Sequence, residues 1–190
     1  SEQLALRLGN FQVSNLRVSP MERCFETISP WINSIVLPNN PKFEPTIDEE
    51  LTEVDYGSWS GKKLVVLSRN KLWKTVQESP SRMYFPNGEG IAQMQSRAMK
   101  SVHESIVTKA KGAAVLVSHG DVIKSIVASA LGMHLDEFQR IVIDPASISI
   151  LDYSTIKPRV LLLNDSRSVV TDLLVAPKRS KNLLGGGSGR

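Results

Sequence analysis

The 190-residue sequence holds one cysteine, Cys24. A single thiol cannot close an internal disulfide, so the expectation is a free, at least half-buried cysteine in a reducing compartment, with no metal cluster or thiol nucleophile patterned around it. No run approaches the ~20 apolar residues of a membrane span, and the N-terminus lacks the charged-then-apolar order of a secretory signal. These absences argue for a cytoplasmic protein without a membrane partner. Excess charge is also missing from the body of the chain. The formal net charge is +4, but Lys178, Arg179, Lys181 and Arg190 all lie beyond Ala176, where there is no acid, and the remainder balances 19 basic against 19 acidic residues. No basic patch interleaved with aromatics is left, so no nucleic-acid partner is expected. The length suits one domain, read as residues 1–165, followed by a flexible basic and glycine-rich tail over 166–190. No internal repeat is present.

What is there centres on Gly112-Ala-Ala-Val-Leu-Val-Ser-His-Gly-Asp121. Ala113 to Val117 is an uncharged apolar run, which predicts a strand buried on both faces inside a parallel sheet. After Ser118-His119-Gly120-Asp121, the apolar residues Val122, Ile123, Ile126, Val127, Ala130 and Leu131 recur at helical spacing, and Gly132 sits where a left-handed C-cap belongs. A strand thus delivers His119 to the C-terminal edge of a sheet beside a helix N-terminus. Ligands bind at such edges in open α/β folds, and the free N–H groups favour an anion. Taken alone, His119 has a second reading, a histidine that bonds only its own loop.

Along the chain, Glu2 to Leu8 reads as the tail of an amphipathic helix and Asn15 to Val18 as a short strand. Ser19-Pro20-Met21-Glu22 has the order of a capping box: serine cap, proline at the first helical position, glutamate three residues on. Arg23 then falls in the first turn, where a cation opposes the helix dipole, so either a bound phosphate or a pairing with Glu22 or Glu26 is needed to explain it. Phe25, Ile28, Trp31, Ile32 and Ile35 form the apolar face, with Ser29-Pro30 a kink or a fresh start. Five carboxylates fall within Asp48 to Asp55. They are interleaved with Leu51, Val54, Tyr56 and Trp59, and Glu53 is the candidate for a desolvated carboxyl with a raised pKa, able to act as a general acid. Leu64 to Val76 has helical spacing with Trp73 inward. Phe85 to Gly90 reads as a turn at a lid edge and Ile91 to Ile106 as an amphipathic helix. Strands are expected at Ile141 to Ile143, Ser147 to Leu151 and Arg159 to Leu163, the last two as a hairpin.

Ser19 to Thr27, Leu51 to Gly61 and Val117 to Ile123, with Phe85 to Glu89 and Arg97 as a fourth block, resemble in order the conserved blocks of the histidine phosphatase superfamily, phosphoglycerate mutase-like branch. The resemblance spans about residues 1 to 151. It implies an α/β fold, a three-layer α/β/α sandwich with a mostly parallel sheet, and phosphoryl transfer through a phosphohistidine. It also implies Arg23 as a phosphate clamp, His119 as the second histidine bonding the transferring group, and Glu53 as the proton donor. Glu89 and Gly120 are assigned to secondary substrate contacts. No metal and no cofactor is implied, and the partner would be a small phosphorylated substrate. Oligomeric state is left open, a homodimer among the options.

The family's opening Arg-His-Gly, whose histidine is the nucleophile, is absent: His103 follows Val102 and His134 follows Met133. The first strand of the sheet is therefore missing from this sequence. Two expectations follow, an enzyme (phosphomonoester phosphatase or phosphomutase) whose nucleophile lies upstream of Ser1, or a non-catalytic phosphate-binding relative. Asn87 and Gly90 also replace a glycine and a serine usual in the fourth block. A dinucleotide binder would suit the strand–turn–helix order but lacks any Gly-x-Gly-x-x-Gly turn, and Asp121 would stand where a pyrophosphate sits.

Overall fold

The computed structural model describes residues 1–40, 43–107 and 111–170; most of the expected tail lies outside them. Three parallel strands form the centre: β1 (Val13–Val18), β2 (Thr46–Ile47) and β3 (Ala113–Val117), in the order β2-β1-β3. β4 (Ile148–Asp152) and β5 (Arg159–Asp165) make the expected antiparallel pair, as a separate two-stranded sheet. Packed around them are the helices α1 (Glu2–Leu8), α2 (Glu22–Trp31), α3 (Ile91–Val107) and α4 (Gly120–Ala130).

Strand side chains alternate between two cores, which is what makes the architecture layered. Leu16 and Val18 of β1, with Val115 and Val117 of β3, pack with Leu4, Ala5 and Leu8 of α1 and with Cys24, Ile28 and Trp31 of α2. Leu116 points the other way, into a cluster with Ile91, Met94, Ala98 and Val102 of α3 and Val122, Ile126, Val127 and Ala128 of α4. Val170 is buried in the α1–α2 cluster, so ordered packing reaches the last described residue.

The register sets the functional edge. Val18 of β1 pairs with Val117 of β3 and Ile47 of β2, so all three strands finish level and hand the chain to loops on one side of the molecule. α4 ends as expected at Gly132 (φ 66°): Gly132 N–H donates to Ser129 O and Met133 N–H to Ala128 O, the paired bonds of a Schellman cap.

Several expectations are corrected. Ser19 stands outside α2, whose cap position is Met21 without a side-chain bond of its own; the Ser19 hydroxyl meets His119 Nε2 at 2.8 Å and accepts the Met21 N–H at 3.4 Å. Phe25 is 45% exposed, since it falls on the outer side of a helix whose inward stripe is Cys24, Ile28 and Trp31. The helix passes through Pro30 and shifts its bonding frame, running as π turns over Ile32–Val36. Leu64 to Val76 is two short helices, Leu64–Leu67 and Leu72–Glu78, and Leu64, Val65 and Val66 face outward. Ile141 to Ile143 forms no strand; Ile141 is buried after a 3-10 turn and Val142 is exposed. β3 is half-buried, because only one of its edges is paired among the described residues and Ala114 is exposed.

Replacing Gly132 by alanine forces an L-residue into the left-handed region in otherwise open space, and should cost about 1 kcal/mol. Gly57→Ala should cost more, because an added Cβ would lie 2.3 Å from Pro86 O at a φ of 50°. Urea unfolding of both variants checks the order.

Candidate active site

His119 ends the β3 connection as the N-cap residue of α4 and is 6% exposed. Both ring nitrogens are engaged. The Arg23 guanidinium donates to Nδ1 from Nη2 (2.8 Å) and Nε (3.2 Å). Nδ1 is therefore the acceptor, Nε2 carries the proton, and Nε2–H donates to Ser19 Oγ at 2.8 Å. Burial, followed by the charges of Arg23 and Arg97, lowers the His119 pKa to about 4. The imidazole is neutral at physiological pH. Arg23 itself is exposed on α2 and meets solvent on its far side.

Cys24, adjacent to Arg23, is buried with Sγ 3.5 Å from His119 Nε2. Sequence spacing gave no hint of this contact, which bridges 95 residues. Burial raises the thiol pKa, so Cys24 packs against the imidazole as a neutral group and not as a thiolate.

Glu53 lies between Leu51 and Val54, which are 0% and 3% exposed. Burial is the first cause of its pKa rising to about 7. The Asp121 charge pushes in the same direction; the Val54 N–H bond and the charges of Arg23 and Arg97 oppose it. Asp121 stands in the first turn of α4, accepting from Tyr56 Oη at 3.0 Å and pairing with Lys124 at 3.2 Å. Beneath this acid loop lies an aromatic cluster: Phe85 meets Tyr56 and Trp59 edge-on at 5.1 and 5.4 Å, and Trp73 stacks on Trp59 at 6.2 Å.

Gly120 is the first residue of α4, next to His119, and a Cβ there would meet nothing within 4 Å. Its place in the site is that of a backbone N–H at a helix start. Glu89 holds Arg97 through both carboxylate oxygens, at 2.6 and 3.1 Å, and accepts the Asp55 N–H at 3.0 Å. Its carboxylate is thus tied to the scaffold of the acid loop. A cavity of about 400 Å³ lined by residues such as Phe11, Gln12 and Trp31 opens near the start of β1, away from this edge. No group of three or more metal-ligating side chains occurs among the described residues, and no helix among them is long and apolar enough to cross a membrane.

A buried neutral imidazole, an exposed arginine fork on it, a carboxyl titrating near neutrality and a helix start therefore converge at one sheet edge. Residues 1–166 match the family model of the histidine phosphatase superfamily, branch 1. The chain belongs to that superfamily. It is 23% identical over 163 residues to phosphoserine phosphatase 1 of Hydrogenobacter thermophilus, covering 85% of this chain and 74% of the relative. In fold it is similar to the alpha-ribazole phosphatase of Shigella flexneri (TM-score 0.71, 20% identity, 88% of this chain and 81% of that one). It is also similar to a phosphoserine phosphatase of Entamoeba histolytica solved with 3-phosphoglyceric acid (TM-score 0.74, 18% identity, 87% and 80%).

The Glu53 shift has a stability consequence. Its folded pKa, about 7, lies above the ordinary 4.5, so the folded state loses stability as pH rises through that window. Glu53→Gln should therefore stabilise the protein by about 1–3 kcal/mol near pH 8, with a gain several times smaller near pH 5. His119 acts in the other direction: its folded pKa of about 4 lies below 6.5, so its contribution is lost as pH falls between those values. Urea midpoints of wild type and Glu53→Gln across this range test the sign.

Proposed function

We propose that the protein is a phosphomonoester phosphatase for small alkyl phosphates. Arg23, oriented by its bonds to the His119 ring, holds the phosphoryl oxygens, and Glu53 protonates the departing oxygen. The observation that carries this reading is the arrangement around Arg23: its guanidinium lies on the His119 ring at 2.8 Å, and Glu53, a desolvated carboxyl with its pKa raised to about 7, sits in its field. Near neutrality a fraction of Glu53 carries the proton that the leaving alkoxide needs, while the solvent-facing N–H groups of Arg23, whose guanidinium is held on the His119 ring, suit a phosphate dianion. The names of the relatives, phosphoserine and alpha-ribazole phosphatases, support the same substrate class.

Transfer through a phosphohistidine requires a nitrogen nucleophile in line with the leaving oxygen. An N–P bond forms as the ester P–O bond breaks, and the Glu53 proton goes to the departing oxygen. Water then attacks phosphorus, the N–P bond breaks, and Glu53 regains a proton from that water. A hydroxyl acceptor in place of water would make the same site a phosphomutase. His119 does not serve as nucleophile in this scheme, because both its nitrogens hold the phosphate subsite together. The nucleophile of this scheme is a group other than His119.

A second reading, a phosphate-binding relative without turnover, is favoured by one observation. The other histidines lie away from the site: His103 is exposed on α3, and His134 is 70% exposed and paired with Asp136.

The test uses protein expressed from the whole reading frame and two substrates. Glu53→Gln should lower kcat/KM for phosphoserine by about 10²–10⁴. It should spare p-nitrophenyl phosphate, whose phenolate leaves without a proton. His119→Ala and Arg23→Ala should depress both. A phosphoserine rate indifferent to Glu53→Gln sinks the acid role. No turnover at all, with phosphate-dependent stabilisation that disappears in His119→Ala, establishes the binding reading.

A further inference from the structure

Glu53 sits in a loop between the 3-10 turn Glu49–Leu51 and the one at Gly57–Trp59, so something other than a helix or strand ladder must fix it. α3 supplies that fixture. From Arg97, Nη1 donates to Glu50 O at 2.7 Å and Nη2 to Glu53 O at 3.3 Å. The same guanidinium grips Glu89 side-on with Nε and Nη2. Glu89 in turn holds Asp55 twice, accepting its N–H at 3.0 Å and donating its own N–H to Asp55 O at 3.0 Å. The loop is therefore caught at its backbone on both sides of Glu53. Two glycines let the loop and the 85–90 turn touch: a Cβ on Gly88 would lie 2.2 Å from Asp55 O, and one on Gly57 would lie 2.3 Å from Pro86 O.

Resting on the function proposed above, we infer that Arg97, locked by Glu89, is a positioning residue that sets the place of the Glu53 carboxyl relative to the leaving oxygen. One planar fork spans two carbonyls and a carboxylate here, a geometry that a lysine ammonium cannot reproduce. A side chain serving only stability would not need to bond the acid's own carbonyl. The charged groups facing Glu53 come from three elements, Arg23 from α2, Arg97 from α3 and Asp121 from α4, and the uncharged Tyr56 hydroxyl and Cys24 thiol also lie in its field. Arg97 is thus also part of the field in which Glu53 titrates.

The experiment compares Arg97→Lys, Arg97→Gln and Glu89→Gln in the whole protein, with phosphoserine and p-nitrophenyl phosphate as substrates and inorganic phosphate as inhibitor. Arg97→Lys should lower kcat/KM for phosphoserine by about tenfold or more. Its p-nitrophenyl phosphate rate and its phosphate inhibition constant should stay within about threefold, because the Arg23–His119 subsite is untouched. Glu89→Gln should repeat this selective loss. Arg97→Gln should also move the alkaline limb of the pH profile upward, since the lost positive charge had held Glu53 down; Arg97→Lys should leave the limb in place. Equal losses on both substrates, wild-type rates in Arg97→Lys, or failure of both Arg97 variants to fold would each overturn the positioning role in favour of a purely stabilising one. Failure of the underlying reading looks different: there, Glu53→Gln itself shows no leaving-group dependence.

Discussion

The parallel register of β1 on β3 is the constraint on which the site depends. Val18 opposes Val117, and Ser19 N–H continues the ladder by donating to Val117 O at 3.0 Å. Ser19 and His119, 100 residues apart in sequence, therefore meet at 2.8 Å. α2 begins only three residues beyond Ser19, which brings Arg23 round to the other nitrogen of the same ring. A one-residue slip would turn Val18 or Val117 out of its core and dismantle this arrangement. Burial of Val18 and Leu16, at 0% and 1% exposure, is what makes such a slip costly.

Burial also decides the charge state. The same loss of water pushes the Glu53 carboxyl up and the His119 imidazole down, because in each case it disfavours the ionised form. The two shifts meet at neutrality: the imidazole is neutral, the carboxyl is partly protonated, and Arg23 is the charge left to face solvent. That balance favours a dianion. It also costs stability on both sides of neutrality, through Glu53 as pH rises and through His119 as it falls.

Much of this was legible in the sequence because it is local. The apolar run Ala113 to Val117, the periodic Val122 to Leu131 and the terminal Gly132 each carry their own instruction, and together they place His119 at a strand end and a helix start. Glu53 between Leu51 and Val54 could be read as desolvated for the same reason. What the sequence hid is competition from distant groups. Ser19 has the spacing of a cap, but a buried imidazole nitrogen is the stronger claimant for its hydroxyl. Cys24 looked isolated because its neighbour is brought by the sheet. Leu64 to Val66 have helical spacing, yet their helix is too short to bury them. Arg97 could be placed on a helix, but besides Glu89 its partners are the carbonyls of Glu50 and Glu53, which have no sequence signature.

The two halves of the site are thus built by different physics. The Arg23–His119 half, proposed to hold phosphate, hangs on strand register and on a hydrophobic core on both faces of the sheet, so perturbing it means perturbing the fold. The acid half is a loop held by side-chain and backbone ties: Arg97 to Glu50 and Glu53, Ser101 to Asp48 at 2.6 Å, and Ser118 Oγ to Leu51 O at 2.6 Å. All of these ties come from α3 or from the residue that follows β3, yet none is part of the ladder that holds the sheet together. Loop position can therefore change by substitution of a few polar residues while the sheet and its two cores persist. In this architecture, the position of the proposed proton donor can vary more readily than that of the proposed phosphate subsite.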